Sequence, residues 1–240
     1  MPKFHPDIHF LTEFSAGTLC DAHKLCVMAH LEHCQECRDI VAHLDQLGGR
    51  LLENAFAAQS QSSPELQLEP NALDKVFAAI DLAEAAGTEV QPSHHKKPLN
   101  IVSGIAEATL KSLGSCVQKL LSQDTDFKWE KISRALSIGR IKFADRAREV
   151  ALHRLEAGGS VDNHDHRGRE ITVVLTGSFS DQDGLYLPGD FLLREPGDTH
   201  RPVASNDGSC VCLSVLEAPV KFRGISRLIN PFLKLKPRAA

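Results

Sequence analysis

Nothing in this chain of 240 residues approaches the roughly 20 consecutive apolar residues that a membrane span needs. The first ten residues, MPKFHPDIHF, carry neither the basic head nor the apolar stretch of a signal peptide, so the expected location is cytoplasmic, with no membrane partner. There is no internal repeat of roughly 20 to 50 residues and no low-complexity tract. A basic recognition helix is also missing, which argues against direct binding of nucleic acid. What is present, 42% hydrophobic and 24% charged residues, describes a soluble globular protein with room for one large core or two small ones.

Seven cysteines form an odd number spread over a long chain, with two closely spaced pairs. That argues for metal or thiol chemistry and against a disulfide framework. Charge is uneven along the chain. Residues 1–88 hold 5 Lys+Arg against 13 Asp+Glu, a net −8, and residues 89–240 hold 22 against 18, a net +4. An acidic module repels phosphates and suits a basic protein partner, although an acidic surface also serves solubility alone.

Residues 7–57 place Phe10, Phe14, Leu19, Leu25, Val27, Met28, Leu31, Ile40, Val41, Leu44, Leu47 and Leu51 at helical spacing. A polar loop with prolines at 64 and 70 follows, and Asn71 can cap a helix with Asp74 in its first turn. Leu73, Val76, Phe77 and Ile80 form the apolar stripe of that helix, which Gly87 ends. The segment GTEVQPSHHKKP at 87–98 is the most linker-like of the chain, and a further amphipathic helix is expected within 99–122. From Trp129 onward short β-branched or alternating segments are separated by Gly, Pro, Asp and Asn turns, the pattern of an antiparallel sandwich or barrel. The expected fold class is therefore α+β in two domains, divided as residues 1–86, 87–126 as linker, and 127–240.

The segment AHLEHCQEC contains H-x3-C-x2-C. On a helix His30, Cys34 and Cys37 fall within about 60° of one another, three quarters of a tetrahedral zinc site. The fourth ligand has to come from elsewhere, and His5 or His9 is available. A C-x2-C is also a redox dithiol pattern, but the histidine four residues earlier and the lack of a βαβ context favour a structural metal. His23, His33 and His43 lack the spacing and read as exposed or hydrogen-bonded side chains; Cys20, Cys26 and Cys116 read as structural.

An early histidine, FSAGTL at 14–19, and the motif at 30–37 together resemble the zinc-binding anti-sigma domain, a helical module that holds an extracytoplasmic-function (ECF) sigma factor. The resemblance covers about residues 1–86 and implies His5, His30, Cys34 and Cys37 as zinc ligands. It favours His5 over His9 by the distance to Phe14. It also implies that the helix at 71–86 lies against the sigma factor, making Leu73, Val76, Phe77 and Ile80 interface; the alternative is that this stripe packs on the domain's own core.

Residues 158–177 read G-x5-H-x-H-x3-E-x6-G, and 196–200 read P-G-D-T-H. In an extended strand His164 and His166 share a face, Glu170 can return to it after the Arg167–Gly168 turn, and His200 comes from a later strand. Three imidazoles and a carboxylate suit a divalent metal in a barrel mouth. The pattern resembles the cupin barrel over about residues 127–218, with His164, His166, Glu170 and His200 as ligands. The second motif is looser than the family's and has no Asn at the expected offset, which weakens an enzymatic assignment more than metal binding. Cys210 and Cys212 share a strand face, as an oxidant-sensing thiol pair near this metal or as a small buried apolar pair.

A zinc-bound all-α bundle joined by a linker to an all-β cupin resembles, in order and length, the ChrR-type anti-sigma factors. That resemblance implies a regulator without catalytic activity. It would bind one ECF sigma factor, with zinc at the first site and a divalent metal, zinc by preference, at the second, and release it on oxidative stress such as singlet oxygen or an organic hydroperoxide. The alternative is a metal-dependent cupin dioxygenase or isomerase with an accessory helical zinc module.

Overall fold

The computed structural model describes residues 1–60, 71–85, 113–223 and 234–239. Residues 86–112, which hold most of the expected linker and much of the helix expected at 99–122, lie outside the described residues. The chain divides into two compact units, Met1–Asp45 with Ile101–Ala240, and Gln46–Asn100.

The helices are α1 (Ile8–Ser15), α2 (Asp21–Leu31), α3 (Gln35–Ser60), α4 (Ala72–Ala85) and α5 (Ser115–Gln123). Local chemistry sets their ends. Asp7 caps α1 by accepting the Phe10 amide at 3.0 Å. Cys34 stands before α3, its sulfur taking the Cys37 amide at 3.4 Å. Glu32, just past α2, caps α5: its carboxylate accepts from the Ser115 amide at 2.7 Å and the Cys116 amide at 2.9 Å. Gly114 permits this approach, since a Cβ there would meet Glu32 Oε2 at 2.5 Å. No described helix is long and apolar enough to cross a membrane.

The strands are β1 (Glu130–Lys131), β2 (Leu136–Arg140), β3 (Lys142–Phe143), β4 (Glu149–Leu155), β5 (His164–His166), β6 (Glu170–Thr176) and β7 (Phe179–Asp181). They continue as β8 (Gly184–Tyr186), β9 (Phe191–Arg194), β10 (Thr199–His200), β11 (Val203–Ala204), β12 (Cys210–Leu216), β13 (Val220–Phe222) and β14 (Arg238–Ala239). Six make one sheet in the order β1-β2-β4-β12-β6-β9, antiparallel throughout. Two three-stranded sheets, β10-β5-β13 and β11-β7-β8, are also antiparallel, and β14 joins β3 in parallel. This is the expected all-β cupin architecture behind N-terminal helices.

Strand β12, CVCLSVL, is buried at all seven positions because both of its faces are covered. Cys210, Cys212, Ser214 and Leu216 line the barrel cavity. Val211, Leu213 and Val215 belong to the core that also holds Phe10, Leu11 and Leu25 of the helices. Strand β6 divides likewise, with Glu170 and Thr172 toward the cavity and Ile171, Val173 and Leu175 in the shared core. Helix α2 supplies Ala22, Leu25, Cys26, Val27 and Ala29 to that core and packs on β6, β9 and β12. The helices up to Asp45 and the barrel are thus one compact body, held by burial of apolar surface that neither could hide alone.

In the second unit the stripe expected on α4 faces solvent: Leu73, Val76, Phe77 and Ile80 are 48–67% exposed. Leu47, Leu51 and Leu52 on the later part of α3 are exposed as well.

Candidate metal centres

The first cluster joins the N-terminal arm to the α2–α3 turn. His30 leaves α2 fully buried, Cys34 and Cys37 sit at the start of α3, and His5 arrives from the arm before α1 with its side chain 30% exposed. His5 Nδ1 lies 3.3 Å from Cys34 Sγ and 3.5 Å from Cys37 Sγ. Around a cation bonding nitrogen and sulfur at about 2.1 and 2.3 Å, tetrahedral N···S edges measure about 3.5 Å, so the spacing fits. His30 Nδ1 donates to the Gly189 carbonyl at 2.6 Å, which leaves Nε2 as a bare acceptor. That Nε2 is buried with no hydrogen-bond partner among the described residues, and one ligand atom from each of the four residues lies within 4.8 Å of the others. Burial lowers the His30 pKa to about 4, and burial followed by Cys34 pushes the Cys37 thiol up to about 12. A cation here meets the neutral imidazole of His30 and must displace the Cys37 thiol proton. His9 is not in the cluster; His5 fills the fourth place.

The second cluster lies in the barrel. Residues His164, His166, Glu170 and His200 are all buried, and their ligand atoms also fall within 4.8 Å of one another. Strand pairing positions them: β5 pairs with β10, setting His164 opposite His200, and Glu170 opens β6 after the Arg167–Gly168 turn. His164 Nδ1 donates to the Asp162 carbonyl at 2.9 Å and His200 Nδ1 donates to Asp181 Oδ2 at 3.1 Å. Both Nε2 atoms are then bare acceptors, yet they face each other at 3.0 Å. Two lone pairs so placed repel unless a cation lies between them, and about 3.0 Å is the edge between nitrogens bonded at 2.1 Å and 90°. His166 Nε2 is buried without a partner among the described residues. Burial, then His200, lowers His164 to about 4; burial, then His164, lowers His166 to about 3; burial raises Glu170. The donor set of three imidazoles and one carboxylate fits a divalent metal.

The cluster opens on a cavity of about 270 Å³. His153 of β4 reaches it beside Cys210 and Cys212, which are buried with sulfurs 3.6 Å apart. A hydrogen bond with Cys210, then burial, raises the Cys212 pKa.

Several residues outside the sequence motifs hold these clusters in place. Asp181, its side chain fully buried, takes the Asp183 amide and the Tyr186 hydroxyl on Oδ1, both at 2.9 Å, and Arg194 and His200 on Oδ2. Burial alone would raise its pKa, but the hydrogen bonds from His200, Asp183 and Tyr186 and the charge of Arg194 hold it well below the carboxylate range. Asp190 in the turn after β8 is buried as a whole residue. Neither had a motif spacing. Of the remaining histidines, His23 is buried beside Glu217 and His43 bonds the Asp39 carbonyl.

Residues 117–219 match the family model described as the ChrR cupin-like domain. Over 245 aligned positions the chain is 27% identical to the anti-sigma-E factor ChrR of Cereibacter sphaeroides, taking in 97% of this chain and 99% of that one. In fold it is similar to the crystal structure of Rhodobacter sphaeroides SigE in complex with the anti-sigma ChrR, with a TM-score of 0.64 and 24% identity over 90% of this chain and 99% of that chain. A smaller likeness, with a TM-score of 0.38 and 16% identity over 43% of this chain and 71% of the other, is to an RmlC-like cupin protein from Ralstonia eutropha. The chain resembles the ChrR anti-sigma factors from end to end.

Proposed function

We propose that this chain is a cytoplasmic anti-sigma factor that binds one ECF sigma factor and keeps it from RNA polymerase, with residues 127–240 as the sensor. The observation that carries the reading is the alignment with the anti-sigma-E factor ChrR over nearly the full length of both chains. Residues 1–86 are the sigma-binding module, joined to the sensor by residues 87–126. The exposed Leu73, Val76, Phe77 and Ile80 supply an apolar face on an acidic segment, suited to a basic partner with apolar anchors.

His5, His30, Cys34 and Cys37 hold zinc as a structural ion, because two thiols and two imidazoles in tetrahedral spacing suit it. His164, His166, Glu170 and His200 hold a divalent metal, zinc by preference, which when bound supplies a Lewis-acidic centre beside the cavity. Asp181 and the Asp162 carbonyl fix the tautomers of His200 and His164 so that both Nε2 atoms face inward. Cys210 and Cys212 are a short movement from bonding. An organic hydroperoxide in the cavity would accept two electrons from them: the O–O bond breaks, an S–S bond forms, and the two thiol protons leave with alcohol and water.

Co-expression with a cognate ECF sigma factor, pull-down and metal analysis test the reading. The expected result is a one-to-one complex and two metals per chain. No complex, together with turnover at a redox-active barrel metal, would move the assignment to the enzyme class.

A further inference from the structure

The N-terminal cluster is held from outside its own segment. The barrel turn Pro188–Asp190 follows β8 and is tied to β6 by Gly189 N–H to Val174 O at 2.8 Å and Val174 N–H to Asp190 O at 3.1 Å. From this fixed turn two contacts reach two different ligands. The Gly189 carbonyl accepts His30 Nδ1–H at 2.6 Å and so turns Nε2 toward the thiols. The Asp190 carboxylate accepts the Lys3 amide at 2.6 Å and the Phe4 amide at 3.0 Å on Oδ1, while Oδ2 takes the Leu187 amide at 2.7 Å. The Phe191 amide donates to the Phe4 carbonyl at 3.0 Å, and the Phe4 ring lies 4.9 Å from that of Tyr186. His5 is the next residue along this pinned arm. The approach is close: Gly189 has φ +93, and a Cβ there would meet His33 Cβ at 2.5 Å and Pro2 Cγ at 2.8 Å.

We infer that Asp190 and the Gly189 carbonyl, residues of the barrel, are positioning residues for the N-terminal metal cluster, placing His5 and His30 against Cys34 and Cys37. His5 is the ligand that most needs this help, since it stands 25 residues before His30 on an arm with no helix of its own. Without Asp190 the amides of Lys3 and Phe4 lose their acceptor and His5 must be ordered from a larger set of arm conformations. The inference rests on the reading of the four residues as a metal site.

The test uses the full chain loaded with Co²⁺, because thiolate-to-cobalt charge-transfer absorption reports only the site with cysteine ligands. Competition with Zn²⁺ and a chelator then gives that site's affinity, and total cobalt gives the barrel's. Asp190→Ala should weaken the thiolate site by about 10- to 100-fold and leave barrel loading unchanged. Asp190→Asn keeps an oxygen for Lys3 and Phe4 but sets its NH2 against the Leu187 amide, so its thiolate-site affinity should fall between those of the wild type and Asp190→Ala. Unchanged thiolate-site affinity in Asp190→Ala overturns the inference, and so does equal weakening of both sites, which would mean general loosening. Absence of the thiolate band in the wild type sinks the metal-site reading itself. If Asp190→Ala does not fold, amide exchange in the loaded wild type decides: the Lys3 and Phe4 amides should exchange slowly, and free exchange contradicts the assignment.

Discussion

His164 and His200 direct their Nε2 atoms at each other across 3.0 Å while Asp162 and Asp181 occupy the opposite nitrogens. The barrel is therefore organised in advance for a cation, with His200 oriented by a buried carboxylate. Asp181→Asn removes the charge that fixes this orientation. It should lower the affinity of the barrel site by about 10- to 100-fold, read by chelator competition, and leave the thiolate site intact.

The N-terminal cluster predicts a different outcome. Its zinc is expected to contribute on the order of 10 kcal/mol, as in small zinc domains. His30→Ala and Cys34→Ala should each bind one metal fewer by mass spectrometry and lose sigma-factor binding; a variant with wild-type binding contradicts the structural role.

Acid should destabilise the metal-free protein through His153. Burial, followed by Arg140 and His164, lowers its pKa to about 4 from an ordinary 6.5. The unfolded chain takes up this proton first as pH falls, so stability is present above about 6.5 and is lost as pH falls through 4. His164 and His166, lowered to about 4 and 3, add to the same trend once metal is stripped. The Tm of chelated protein should drop across this window, and His153→Gln should flatten the profile.

The apolar stripe on α4 separates stability from binding. Phe77→Asp changes a side chain 56% exposed, so folding stability should move by only about 0.5 kcal/mol while sigma-factor affinity falls at least tenfold. Calorimetry of the free chain and of the complex measures both.

The strand period set His164 beside His166 as the sequence implied, whereas the single helix expected through His30, Cys34 and Cys37 is broken between Leu31 and Gln35, and the turn between α2 and α3 brings these three together instead. The barrel was legible from its turn residues and alternating strands. The union of the helices with the barrel was not. Strand β12 is buried on both faces, which reads equally as a sandwich interior, and the contact that joins His30 to Gly189 spans 159 residues. Asp181 and Asp190 escaped for the same reason: a single carboxylate acquires its role only from partners brought together by folding. Tyr186 and the turn at 188–190 lie outside every sequence motif, yet they connect the two clusters: Tyr186 bonds Asp181 and packs near Phe4, and Gly189 accepts from His30.

The most direct test of the account is run-off transcription by RNA polymerase with an ECF sigma factor, titrated with the full chain. The account predicts that one equivalent of zinc-loaded protein abolishes the transcript and that stripping the N-terminal metal restores it. Full transcription in the presence of excess zinc-loaded chain would contradict it.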